Sequence, residues 1–370
     1  MRKLLFLLFA ACGIIASCKK HSPAPAAMPG VLHPAPEGKV FSFIGLMDGH
    51  TAGVGGRDSY IDMLRPMLKE WYGDGGPGLQ MFDDHIAAAE SVSFEKSPTL
   101  MNMNLLAFDS APTKFSINGM GLYSENANDL SFTWQSKGKV KYEKARIFYL
   151  KQPGGGSFKV GFMDQATNTY SLVRTDSAAF SLAYIDLVFN SSSSLSYNIK
   201  CSSINGKVGL FGVIFSNPNG AMYSRIAQEG MTLANIMKLS SDFRKAWYKT
   251  LNPVGVYFDA GTNDRKTVDA QTFGGWLRSY SNDVLSSSKA KMMIVHGIQP
   301  KDHASTYFDD YLAVQKDVPN STLVNLSFYI GDYDSLSAKG WMLDDTYLND
   351  LGNSEKYVTF FNNMSYYFPR

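Results

Sequence analysis

The chain is poor in cysteine, poor in charge, and has no useful surplus of either sign. Three of its 370 residues are cysteine, at positions 12, 18 and 201, too few for a disulfide framework or a Cys-rich zinc site. Lys and Arg total 35 against 33 acidic residues, and the two extra positives are Arg2 and Lys3. Without residues 1–17 the balance is 33 against 33. Nucleic-acid backbone binding needs a basic excess, so that class is excluded. Only 18% of the chain is charged while 45% is hydrophobic, which excludes a disordered polyelectrolyte and a coiled coil. Beyond residue 15 no apolar run reaches the length of a transmembrane helix. What is present is enough chain, 13% of it aromatic, for one large core or two domains.

The first residues carry an address. Arg2 and Lys3 precede an apolar run over 4–15, then Ala16, Ser17 and Cys18. Twelve apolar residues suit the central region of a signal peptide rather than a permanent span. Ile15-Ala16-Ser17-Cys18 resembles a bacterial lipobox, which implies a lipoprotein signal peptide over 1–17 and lipidation of Cys18. The other reading is an ordinary secretory signal cleaved elsewhere. Either way Cys12 leaves with the signal, and Cys201 is expected to be a buried, unpaired thiol. Residues 18–38 hold Pro23, Pro25, Pro29, Pro34 and Pro36 and read as an extended tether. The expected location is the bacterial cell envelope, anchored through Cys18 on the periplasmic face or the cell surface. Lys19-Lys20-His21-Ser22 does not decide between the two faces.

The rest alternates between two grammars. Residues 39–46 read as a buried strand, followed by a turn and a helical pattern over 60–71 with Ile61, Leu64, Met67 and Leu68 on one face. Further buried strands are expected at 254–258, 291–295 and 322–326, with helices at 272–286 and 307–315 between them. The middle differs. Short alternating runs at 145–150, 158–163, 183–189 and 208–215 are separated by Gly/Asn/Ser-rich connectors such as 152–157 and 190–194. That pattern argues a β-sandwich or jelly roll. The expected organisation is an α/β domain over 39–106 and 223–370, interrupted by an all-β insert over 107–222.

Three blocks carry a family resemblance. Met47-Asp48-Gly49-His50-Thr51-Ala52-Gly53 is similar to the Gly-Asp-Ser-His-Thr-x-Gly opening of SGNH/GDSL hydrolases. Gly261-Thr262-Asn263-Asp264 matches their Gly-x-Asn-Asp block, and residues 344–353 resemble their terminal Asp-x-x-His-Leu-Asn-x-x-Gly block. They occur in order, each at or just after the C-terminal edge of an expected strand, where α/β sheets place ligands. Leu64-Arg65, the run 72–78 and the β-rich stretch before 226–230 resemble the branch of peptidoglycan and polysaccharide O-acetylesterases with an inserted carbohydrate-binding-like jelly roll. The resemblance implies a flavodoxin-like three-layer α/β fold with that insert. It places the remaining oxyanion glycine at Gly230, with Gly121 as the weaker alternative.

The departures fall on the chemistry. In such hydrolases a Ser attacks the ester carbonyl, a His takes its proton, an Asp orients the His, and backbone and Asn donors hold the oxyanion. At those places stand Gly49 for the Ser and Tyr347 for the His, with Asp344, Asn263 and Gly230 retained. Tyr, with an ordinary pKa of about 10, is a poor base at neutral pH. Asp48, His50, Thr51 and Asp264 lie near the site without supplying the missing pair, and Ser59, His296 and His303 sit in other contexts. The pairs Asp83-Asp84, Asp309-Asp310 and Asp344-Asp345 lack a His at metal-ligand spacing, and Gly154-Gly155-Gly156 lacks the Lys-Ser/Thr of a phosphate loop. Neither metal nor cofactor is implied. Phe148, Tyr149, Phe162 and Tyr184 are candidates for a glycan surface on the insert, with the core as each one's default fate.

Three readings stay open. The first is an envelope lipoprotein that binds cell-wall or acylated polysaccharide without cleaving it, alone or beside an active esterase. The second is an active carbohydrate O-acetylesterase with an unorthodox nucleophile. The third is a structural or protein-interaction role.

Overall fold

A computed structural model of the chain describes residues 33, 35–46, 63–81, 92–95, 115–136, 142–162, 170–188, 198–227, 230–298, 301 and 307–364. In chain order its strands and helices are β1 (Val40–Leu46), α1 (Leu64–Tyr72), β2 (Asp74–Gly76), β3 (Gly78–Met81), β4 (Val92–Glu95), β5 (Leu122–Ser136), β6 (Lys144–Lys151), β7 (Ser157–Phe162), β8 (Tyr170–Arg174), β9 (Ser181–Val188), β10 (Asn198–Ser216) and β11 (Gly220–Ile226). There follow α2 (Leu233–Met237), α3 (Ser241–Leu251), β12 (Gly255–Ala260), α4 (Ala270–Ser287), β13 (Lys291–His296), α5 (Phe308–Asp317), β14 (Ser321–Asn325), α6 (Leu326–Ile330), α7 (Tyr333–Ala338) and α8 (Asp350–Met364).

Two sheets result. The first runs β2-β11-β1-β12-β13-β14, with every pairing parallel. Apart from the short β2, this is the 2-1-3-4-5 order of flavodoxin-like sheets, whose order reverses between the first and third strands. Its strands are buried on both faces, which is why they read as continuous apolar runs. Ile44, Leu46, Val256, Phe258, Met292 and Ile294 face one core with α3 and α4. Phe41, Phe43, Tyr257, Met293 and Val295 face the other, against α1 and α8. The α/β part is therefore a three-layer fold.

The second sheet is antiparallel and curled, built from β3 to β10 around the 19-residue β10. The N-terminal half of β10 pairs with β5 and β7, and its C-terminal half with β6 and, on the other side, β5 and then β3. A jelly-roll-like insert thus interrupts the α/β fold. Its inner face has its own core, with Ile147, Tyr149, Phe158, Val160, Cys201 and Val213. Its outer face gives Phe148, Leu150, Phe211 and Ile214 to the α/β core. Cys201 is a fully buried free thiol.

Both faces of β6 are thus occupied, and most of the insert aromatics take the core fate expected of each singly rather than forming a glycan surface. Phe148, Tyr149 and Phe162 are buried. Tyr184 is exposed, with the Arg146 guanidinium 3.9 Å from its ring centroid and held by Asp186 through bonds of 2.7 and 2.9 Å.

The chain changes sheets between β2 and β3 across the single residue Pro77. Gly78 makes this crossing possible: its φ is +79°, and a Cβ there would stand 2.3 Å from the Tyr223 carbonyl oxygen. Gly78→Ala is expected to cost at least about 2 kcal/mol, from left-handed strain and backbone clash together. A urea titration of the two proteins side by side measures it.

Candidate functional site

Gly230 and Asn263 follow β11 and β12, the strands on either side of β1 where the sheet order reverses. Leu46, the last residue of β1, is flanked by Ile226 of β11 and Phe258 of β12, so the three strands come level at this edge. Open α/β sheets bind ligands at this edge. Asp48, Gly49, His50 and Thr51 follow β1 and lie outside the described residues, as do Ser59, His303 and Cys18.

After β12 the chain turns through Gly261 (φ +96°). Only glycine suits this position, because a Cβ would meet the Tyr311 hydroxyl at 2.8 Å and the Phe273 ring at 3.2 Å. The Tyr311 hydroxyl donates to the Ala260 carbonyl, and Arg265 N–H returns to the Gly261 carbonyl at 3.1 Å. This tight turn presents Asn263, half-buried, and Asp264, fully buried.

The two side chains reach the segment that follows β11. Asn263 Nδ2 donates to the Met231 carbonyl at 3.0 Å. Asp264 accepts from Leu233 N–H at 2.8 Å on Oδ2 and from Ala234 N–H at 3.2 Å on Oδ1. Burial pushes the Asp264 carboxyl up from its ordinary range, and the two amides pull it back. Gly230 precedes this grip, exposed and in the left-handed region at φ +75°. Gly230 and Asn263 are therefore brought together. A carboxamide carries two N–H hydrogens, and the bond to Met231 uses one. The other, with the Gly230 N–H, is of the kind that holds a carbonyl or oxyanion.

The terminal block is ordered locally. Asp344 Oδ1 accepts from the N–H groups of Thr346 and Tyr347, both at 2.7 Å, and Leu343 N–H donates to the Tyr347 carbonyl at 2.7 Å. Asp344 is exposed and Tyr347 half-buried. Asp345 ties this turn to the segment after β13, accepting from Lys301 Nζ at 3.3 Å and from the Tyr333 hydroxyl at 3.0 Å. His296 closes β13, buried, with Nδ1 3.1 Å from Asn325 Oδ1. Gly121 immediately precedes β5 and stands 3.0 Å, by its would-be Cβ, from the Leu210 carbonyl. Among the described residues no group of three or more His, Cys, Asp or Glu is placed to hold a metal ion.

Sequence reasoning missed a feature beneath this edge. Asp259, one residue before Ala260, is fully buried and pairs at 2.7 Å with the fully buried Lys356 of α8. An aspartate inside an otherwise apolar strand was the available signal, since a buried charge needs a partner.

The sequence matches no family model and no curated protein. Among solved structures, one described as a peptidoglycan O-acetylesterase superposes with a TM-score of 0.67 at 14% identity, covering 89% of this chain and 91% of that one. The chain has the SGNH hydrolase fold with an inserted β domain. Weaker likenesses are to an acetyl xylan esterase of the rumen bacterium Butyrivibrio proteoclasticus (TM-score 0.30, 8% identity, 79% of this chain and 100% of that one) and to the protein named TesA (0.32, 16%, 40% and 80%). Within the SGNH fold, Gly230 and Asn263 stand at the C-terminal edge of the parallel sheet.

Proposed function

We propose that the chain is a lipid-anchored envelope protein that holds an O-acylated cell-wall or other polysaccharide at the sheet edge without cleaving it. The observation that carries this reading is the 3.0 Å bond from Asn263 to Met231, which sets the amide beside Gly230. The positions that would supply nucleophile and base are Gly49 and Tyr347. Donors of this type bind an acyl carbonyl whether or not a nucleophile stands beside it. Losing nucleophile or base in comparable triads lowers rates by roughly 10⁴ to 10⁶. The ligand class comes from the peptidoglycan O-acetylesterase that shares the fold. Cys18 would supply the membrane anchor.

The test is acetate release from an aryl acetate and from O-acetylated peptidoglycan, using the chain with Cys18→Ser and the same chain with Gly49→Ser and Tyr347→His. The expected result is silence from the first and turnover from the second, with both retained on the O-acetylated polymer. Turnover by the natural sequence that Asn263→Ala abolishes would establish an esterase with another nucleophile. Failure of either protein to bind the polymer would move the assignment to a structural role.

A further inference from the structure

Both oxygens of the Asp264 carboxylate reach another segment. Asp264 is fully buried, and its two oxygens take one amide each from Leu233 and Ala234, at 2.8 and 3.2 Å. A helix of five residues has its first amides unsatisfied, and these are ordinarily met by water or a local side chain. Here α2 already has a local cap. Thr232 Oγ1 accepts from Asn235 N–H at 3.1 Å, and Asn235 Oδ1 accepts from Thr232 N–H at 3.1 Å. Withdrawing a carboxylate from water is costly unless its oxygens are met, so this grip is a committed one. What it adds to the local cap is a fixed distance between the segment after β11 and the turn after β12.

We propose that Asp264 is a positioning residue for the Gly230–Asn263 donor pair: by gripping the Leu233 and Ala234 amides it fixes the Met231 carbonyl, and that carbonyl orients the Asn263 side chain. The relay is short. Met231 lies two residues before Leu233, and Asn263 is the immediate neighbour of Asp264, so one residue pair from each segment closes a ring. With the carboxylate in place, the Asn263 amide has one hydrogen directed to Met231 and its other set in direction. Without it, the polar ties of segment 230–234 are the Thr232 cap, which acts on α2 and not on the loop after β12, and the Asn263–Met231 bond itself. The geometry of the relay is independent of what binds; its consequence for a ligand rests on the binding reading above.

The experiment compares Asp264→Asn with Thr232→Ala in the chain carrying Cys18→Ser, reading the Asn263 side-chain NH₂ and Gly230 amide resonances by ¹⁵N–¹H correlation. Asp264→Asn keeps the shape but halves the acceptors, and is expected to move both sets of resonances. Thr232→Ala removes only the local cap and is expected to leave the Asn263 pair in place. Equal displacement by both variants, or none by Asp264→Asn, would overturn the proposal and leave Asp264 a plain helix cap.

If Asp264→Asn does not fold, the unmodified chain decides. Scalar couplings across the hydrogen bonds from Leu233 and Ala234 to the Asp264 carboxylate, and from Asn263 to the Met231 carbonyl, are expected together. Absence of either set overturns the relay. Retention on O-acetylated peptidoglycan is expected to weaken about tenfold in Asp264→Asn, the scale of one lost charge-assisted bond. If the unmodified chain does not bind the polymer, the functional reading fails while the resonance comparison still judges the relay.

Discussion

Lys356→Met is expected to destabilise the protein by about 3–5 kcal/mol, the range found when one member of a buried ion pair is removed. Lys356 Nζ and Asp259 Oδ2 lie 2.7 Å apart and neither side chain has any exposure. Asp259 sits between Phe258 and Ala260 in a strand buried along its whole length. Methionine fills much of the lysine's volume, so the cost comes from leaving a carboxylate without its cation rather than from a cavity. The companion variant separates the two. Asp259→Leu with Lys356→Met removes both charges, and such replacements are often neutral or stabilising. Urea denaturation of wild type, single and double variants forms the measurement. A loss below about 1 kcal/mol in Lys356→Met would mean that water reaches the pair, because exposed pairs contribute only that much.

This pair also shows what limits a reading of the sequence. Strands β12 and β13 were legible because the short apolar runs within 254–258 and 291–295, bounded by turn residues, have few alternatives. The α1 face was legible too: Leu64, Met67 and Leu68 enter one core, while Ile61 of the same expected face lies outside the described residues. Helix α8 was not, since its inward positions include Lys356 beside Tyr357 and Phe360, and the first half reads Asp-Leu-Gly-Asn-Ser. A lysine facing the core erases the apolar stripe that marks an amphipathic helix. Helix α3 carried a visible Ser240 cap, whose hydroxyl accepts from Phe243 N–H, but it lies in a stretch rich in Lys, Arg and Ser.

The insert was legible as an all-β unit, with the runs at 145–150, 158–163 and 183–189 falling on β6, β7 and β9, but the full length of β10 was not. The run Ser202-Ser203-Ile204-Asn205-Gly206 has the composition of a turn, yet β10 passes straight through it. Register shifts between Cys201 and Val208 show that the chain bends there as bulges, with Ser203 at φ +49° and Gly206 at φ +69°. Turn residues that bend a strand look the same as turn residues that end one. At the site, the motif spacing pointed to Gly230 and Asn263, and their segments meet. The Asp264 grip had no sequence signal beyond adjacency, because the partner amides belong to a backbone 31 and 30 residues away.

Trp247→Ala is expected to cost about 3–5 kcal/mol, the range for removing a large buried aromatic, and to do so without splitting the unfolding transition. Trp247 is fully buried on α3, with its ring centroid 5.1 Å from Phe148 of β6 and 5.8 Å from Phe211 of β10. Its indole N–H donates to the Phe115 carbonyl at 3.0 Å. One side chain therefore joins a helix of the α/β part to two strands of the insert and to the segment just before β5. Because Phe148, Phe211 and Ile214 share a cluster with Val256, Phe258 and Leu277, loosening the insert exposes the same core that the parallel sheet needs. A cooperative unit follows, in which far-UV circular dichroism and tyrosine fluorescence lose signal at one urea concentration. Trp247→Phe is expected to recover most of the packing but to leave the Phe115 carbonyl short of its donor, costing about 1–3 kcal/mol. Two separate transitions in Trp247→Ala, with the α/β part surviving the first, would show that the inserted sheet is stabilised by its inner core alone.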